Sequence, residues 1–516
     1  EGTIKVSAVA PKVSNKYQFN VAMRADQADL AYEGSNASTE VINKANIKLT
    51  GQGAIGMIAN GSSTSGANTK YAIATNRSGA TINVDKEGTA ASKDNFGMLA
   101  TDRAKIVNEG TIKIGNSKNS VGMTSMIQGT GSTAKVSLSE NKGLISITGP
   151  NSTGVYNTGE FLMNTAAAKI DVAGRQSIGL YAKGQAAQTK TELKAGTVQA
   201  SNSGVGLYSD KSVVNLDNTS NNLKLIANKG GLLFYNYESN NAANVANGVF
   251  KLTGNVKATV NNGGYAFYLK GTTIHSNGSI SGLASFFDSM FANGTSTGKL
   301  DVTLNPGGTL MILDKPTGGN IKLSSVATTS SIASSLGHKV TINSASTKYK
   351  VYAVYRGKLE IDQNVNLNND STTASPDAFY KVDFRSSSMK LNSGKTVAGT
   401  KQGQVALFQG NYDEGGTSKG KVGDISITNL GTIKLSGNSI TTGPAASRKT
   451  TTAMAGDFIT LTNKGTIEVS GNNGVGIYGA GGSKVTNAQG ASITVGQEGV
   501  ALYGANRLGS STLGDR

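Results

Sequence analysis

The arrangement in this chain closest to catalytic chemistry is Leu359-Glu360-Ile361-Asp362. Strand alternation would put Glu360 and Asp362 outward on one face, roughly 6–7 Å apart, the scale of the paired acids of a glycosidase. No second strand brings a partner acid or a catalytic Arg or Lys to them, so they read as surface decoration. Asp413-Glu414 is another close pair. Gly294-Thr295-Ser296-Thr297-Gly298 and Gly416-Thr417-Ser418-Lys419-Gly420 both spell a nucleophile elbow, which needs a strand-turn-helix setting and a histidine. The only histidines are His275 and His338, both expected in solvent, and cysteine is absent. A Ser-His-Asp triad, a thiolate nucleophile, a disulfide or a histidine metal site therefore lacks raw material. Gly51-Gln52-Gly53-Ala54-Ile55-Gly56 and Gly474-Val475-Gly476-Ile477-Tyr478-Gly479 match the dinucleotide fingerprint without opening a helix. Gly394-Lys395-Thr396 is no phosphate loop, because Met389 stands where its first glycine belongs. The expectation is a chain without cofactor or metal that is not an enzyme.

What positions these residues is a repeat. Asn463-Lys464-Gly465-Thr466-Ile467-Glu468-Val469 is followed by Gly474-Val475-Gly476-Ile477-Tyr478. Asn108 to Ile114 precedes Val121-Gly122-Met123, and Asn141 to Ile147 precedes Thr153-Gly154-Val155-Tyr156. Tyr156, Tyr181, Tyr208 and Tyr235 are 25, 27 and 27 residues apart, and Tyr478 to Tyr503 is 25. Tyr355, Tyr380 and Phe408 continue the spacing at 25 and 28. A period near 26 suits one coil of a parallel β-helix, and the leucine-rich signature is missing. Ile112/Ile114, Ile170/Val172 and Ile433/Leu435 alternate with polar residues, as in half-buried strands. Gly or Ala between apolar residues, as in Ile178-Gly179-Leu180 and Val500-Ala501-Leu502, marks close backbone approach. Stacking should align the Ile/Val pairs in ladders and the tyrosines in an interior or corner stack. The fold class is all-β: a single-chain parallel β-helix of about 18–20 coils, at roughly 4.8 Å per coil.

Composition agrees. Sixty-seven glycines, six prolines and no tryptophan suit tight coils in a chain of 516 residues, read as one continuous solenoid over 1–516. The net charge of +17 comes mainly from single lysines at outward strand positions, a solvated face rather than a nucleic-acid stripe. Its reach would favour anionic cell surfaces. The chain shows neither a signal peptide nor an apolar run long enough to span a bilayer. It opens on a repeat lacking its leading Asn and ends shortly after Tyr503 without a polar cap, as a section of a longer protein would.

Function on a regular scaffold sits where the rhythm breaks. Irregular insertions are expected near 7–40, 59–75, 283–291, 409–422 and 441–455. Phe286, Phe287 and Phe291 either cover an opening in the core or form a partner patch. Tyr17, Tyr237 and Tyr412 lie off the tyrosine spacing, and aromatics beside Asn and Asp can hold sugar rings. Candidate ligand-binding residues are therefore Tyr17, Tyr237, Tyr412, Asp413 and Phe287.

The copy at Asn463–Val469 with Gly474–Tyr478, and its relatives along the chain, closely resemble the passenger regions of the very large fusobacterial type V autotransporter adhesins. The resemblance covers nearly the whole chain, more weakly over 270–350, and is specific for scaffold rather than ligand. It implies a right-handed β-helix projected from the outer membrane on the bacterial cell surface, with its membrane β-barrel outside this chain. It further implies coaggregation with other bacteria and attachment to host cells, through surface glycans or protein receptors. A monomer is expected, without nucleic acid. No ligand-binding residue carries over. A β-helical polysaccharide lyase or glycosidase is the enzymatic alternative, to be told by carboxylates clustered in one groove; a pure structural spacer is the third.

Overall fold

The computed structural model describes residues 2–14, 16–27, 38–61, 72–88, 91–129, 134–184, 189–236, 250–270, 283–292, 294–305, 308–314, 320–322, 339–343, 350–355, 358–367, 380–382, 388–410, 425–444 and 448–505. The chain divides into two compact units: Glu1–Phe267 with Ala284–Thr303 and Leu336–Asn343, and Tyr268–Leu283 with Leu304–Ser335 and Ser344–Arg516. Each is a parallel β-helix of three sheets.

In the first unit the Gly-Thr-Ile strands form an 11-stranded sheet from Thr3–Val6 to Val340–Asn343. Like stacks on like: Ile82, Ile112, Ile145 and Ile170 share one register position, all fully buried. The Gly-x-Gly-x-Tyr strands form the second sheet, from Asn20–Asp26 through Leu232–Asn236. Its inward column runs Met23, Met57, Met98, Met123, Val155, Leu180, Leu207, Phe234 and Phe267. A third sheet of eight strands, from Thr39–Asn43 to Phe250–Thr253, closes each coil. The repeat motif does not announce it.

The third sheet turns into the first at the motif's leading asparagine. Asn43, Asn76, Asn108 and Asn141 are buried one above another, each amide nitrogen donating to the next side-chain oxygen at 2.8 Å. The second nitrogen hydrogen is not wasted, as Asn108 also donates to the Leu144 carbonyl. In the second unit Asn429, Asn463 and Asn487 repeat the ladder at 2.8 Å. Buried amides are stable only when satisfied, and here each satisfies its neighbour.

After Tyr265–Lys270 an α-helix, Leu283–Met290, takes the place of the third-sheet strand. Phe287 and Phe291 from this segment are fully buried against Phe267, Phe234 and Phe250. This is a cover over the core. The second unit has sheets of six strands (Asn320–Lys322 to Lys484–Asn487), five (Val365–Asn366 to Ser492–Val495) and five (Tyr380–Val382 to Val500–Ala505).

Three expectations need correction. Asn20–Asp26 falls within the expected irregular stretch 7–40, and Thr452–Asp457 overlaps the end of 441–455, but both are ordinary coil strands. Val21-Ala22-Met23 carries alanine where other coils carry glycine, which hid the motif. Tyr380 is not in line with Phe408: its register partner is Leu407. Finally, Tyr156, Tyr181, Tyr208 and Tyr235 do stack in one register, but on the outer face of the second sheet and half-buried. The inner position is already filled by Leu180 and Leu207.

Candidate functional site

Among the five residues singled out as ligand contacts, Tyr237, Tyr412 and Asp413 lie outside the described residues, as do both histidines. Tyr17 sits on the second strand of a small antiparallel hairpin, paired with Lys12. Phe287 is corrected: it is fully buried in the phenylalanine cluster, because an aromatic ring gains far more by filling the core than by facing water.

The acid pair is corrected as well. The strand ends at Ile361, so Asp362 lies beyond it, and Glu360 is only 7% exposed. Lys390, its register partner on the next coil, places Nζ 2.7 Å from a Glu360 carboxylate oxygen. Glu360 is thereby an ion-paired structural acid. Ser296 is equally structural: its buried hydroxyl donates to the Phe291 carbonyl at 2.6 Å and accepts from the Leu252 N–H. The two dinucleotide-like segments run into strands, Ala54–Asn60 and Val475–Ala480. Among the described residues no group of three or more His, Cys, Asp or Glu is placed to hold a metal ion. None of their helices is long and apolar enough to cross a membrane.

Two outer faces have defined surfaces. On the first unit the tyrosine ladder has ring centroids 5.2, 4.6 and 4.9 Å apart. Tyr181 donates its hydroxyl to Asp210 on the next coil at 2.9 Å. Burial first, and then that carboxylate, push the Tyr181 phenol above its ordinary value of about 10. The folded state thus holds this proton more tightly than the unfolded chain. Its stabilising share is complete below about pH 10, the unfolded value, and is lost progressively above it as pH climbs towards the raised folded-state value. Tyr181→Phe should cost about 0.5–1.5 kcal/mol at neutral pH. Its urea midpoint should also fall less than the wild type's between about pH 8 and about pH 11.

On the second unit the outer face of the five-stranded sheet that runs from Val365–Asn366 to Ser492–Val495 holds a shallow open groove of about 610 Å³. One register column crosses it: Asn366, Ala398, Lys434 and Glu468. Ala398 makes the depression, since its neighbours project long side chains from the same position and it does not. Lys434 and Glu468 are 3.3 Å apart and both well exposed. Thr396 and Asn364 line one side, and Thr400, Ser436 and Ser470 the other. Sequence reasoning missed this groove entirely.

Residues 2–161 match the family model for the BigA third pectate lyase-like domain. That stretch holds the first coils of the first unit, whose parallel sheets agree with the match. No curated protein and no solved structure matches the chain. The fold of the chain is thus a parallel β-helix, and its residues 2–161 are similar to a pectate lyase-like domain. The name describes a fold, and says nothing on catalysis.

Proposed function

We propose that this chain is a β-helical passenger section of a bacterial surface adhesin, of the type V autotransporter kind and resembling its fusobacterial members. It would attach the cell to other bacteria or host cells through the outer faces and loops of a stiff stalk, by contact with surface glycans or proteins and without catalysis. The observation that carries this reading is the match of residues 2–161 to a domain of BigA, an autotransporter-like adhesin. The sequence motif resembling adhesin passengers along nearly the whole chain supports it independently. So does the regularity of the coils: a solenoid contacts only its neighbours, which leaves its outer faces available to partners.

The test is retention of the purified, folded chain on partner bacteria and on host epithelial cells. Variants with residues 62–71 or 411–424 replaced by a Gly-Ser linker leave the flanking coil strands intact. Saturable binding, lost in one variant, is the expected result. No binding to any cell from a folded chain would assign it to a spacer role, and release of shortened glycans would mean an enzyme.

A further inference from the structure

The groove on the second unit has features that point to a ligand class. It crosses four successive coils, three steps of roughly 4.8 Å or about 14 Å in all, with lining residues from each: Asn366, Ala398, Lys434 and Glu468. That length accommodates an extended chain of a few sugar rings. Its walls repeat with the coil. Thr396 lines one side, and its register column continues beyond the groove through Thr432, Thr466 and Ser492. Thr400, Ser436 and Ser470 each follow the buried end residue of their strand, and all are exposed. The last two are held by backbone bonds to the preceding coil, Ser436 N–H to the Gly399 carbonyl and Ser470 N–H to the Leu435 carbonyl.

Hydroxyls and carboxamides both donate and accept, which matches the hydroxyls of a sugar, themselves donors and acceptors. Among the described residues that line the groove the charges cancel, because the one cation, Lys434, faces the one anion, Glu468. A balanced pair gives an acidic polysaccharide no net attraction, but still offers the hydroxyls of a neutral one a donor and an acceptor. A peptide strand would need a free sheet edge or apolar pockets for alternate side chains; this is the face of a paired sheet, and its floor is Ala398.

We infer that the outer face of this sheet is a binding site for a neutral oligosaccharide of about three to four rings, lying along the column Asn366–Ala398–Lys434–Glu468, with Ala398 as the floor. The site rests on the adhesive reading above and gives it a ligand class. Because Ala398 points outward, filling it leaves the core untouched: its strand neighbours Val397 and Gly399 are the buried ones.

The experiment uses the full chain and saturation-transfer NMR with chitotetraose, cellotetraose and maltotetraose, and tetragalacturonate as the acidic comparator. At least one neutral tetrasaccharide should bind, and more tightly than tetragalacturonate. Ala398→Arg should weaken it at least tenfold with an unchanged unfolding midpoint, while Ser146→Arg, at an outward position of the first unit, should not. Absence of binding by all three neutral probes, preference for tetragalacturonate, or full binding by a folded Ala398→Arg variant overturns the site. Cell retention by the same preparations separates the two ideas. Retention without tetrasaccharide binding leaves the adhesin and removes this site, whereas tetrasaccharide binding without retention keeps the site and removes the adhesin.

Discussion

Gly154→Val is expected to destabilise the first unit by more than about 3 kcal/mol, beyond the ordinary range of overpacking. Gly56, Gly97, Gly122, Gly154, Gly179 and Gly206 stack in one inward column of the second sheet. A Cβ on Gly154 would lie 2.6 Å from the Gly179 carbonyl oxygen and 2.8 Å from Ile147 Cδ1. On Gly122 it would lie 2.5 Å from the Gly154 oxygen. The obstacle is backbone of the next coil, which cannot rotate away as a side chain can. Glycine is here for space, not for an unusual dihedral. The contrast is Gly206→Ala, whose Cβ would meet the Leu233 oxygen at 3.2 Å and Val198 Cγ1 at 3.5 Å; a change within about 1 kcal/mol is expected there. Alanine already fills the equivalent column at Ala406, Ala453 and Ala501 of the second unit. Urea unfolding gives the magnitudes. Hydrogen exchange adds the location, since coils depend on nearest neighbours and protection should fall around Thr111–Val172 first. Wild-type stability in Gly154→Val would refute the steric account.

Asn108→Asp should cost about 3–5 kcal/mol at neutral pH, the scale for an uncompensated buried charge. The new carboxylate could still accept from the Asn76 amide, but it could not donate to the Asn141 side-chain oxygen or the Leu144 carbonyl. It would face two oxygens in a site with no solvent exposure. Burial beside acceptors raises a carboxyl's pKa. The destabilisation is therefore full well above the unfolded value of about 3.9 and shrinks as pH falls towards it. Asn487→Asp is the internal control, because Asn487 is exposed and accepts from Asn463 at the open side of its ladder. A midpoint shift of less than about 1 kcal/mol is expected there. Equal shifts in both variants, or no narrowing at low pH for Asn108→Asp, would show that the ladder is not what holds this corner.

The glycine column was legible in sequence because the feature that needs it recurs in every coil, and the asparagine of Asn-x-Gly-Thr-Ile was legible as a recurrence without its meaning. Its ladder follows only once three strands per coil, not two, are known. The third-sheet strands hide well: Lys105-Ile106-Val107-Asn108, Leu138-Ser139-Glu140-Asn141 and Lys190-Thr191-Glu192-Leu193 share little beyond alternation. Phe287 shows the opposite failure. An aromatic cluster off the repeat signals either a partner patch or a core cover, and only its packing against Phe267 and Phe291 decides which.

The β-helix was readable from repetition alone, because like side chains returning every 25 to 28 residues can bury their apolar faces together only by stacking coil on coil. The Ile/Val ladders follow for the same reason, whereas the face on which the tyrosine column lies does not. Which outward residues share a surface emerged only with the folded coils. Asn366, Ala398, Lys434 and Glu468 are 32, 36 and 34 positions apart in the chain, and their intervals include connections of unequal length. Their meeting depends on strand register, and register is set by backbone pairing and buried side chains that say nothing about the outer residues. Tyr380 makes the same point: its chain spacing suggests Phe408 as its neighbour, but the register aligns it with Leu407.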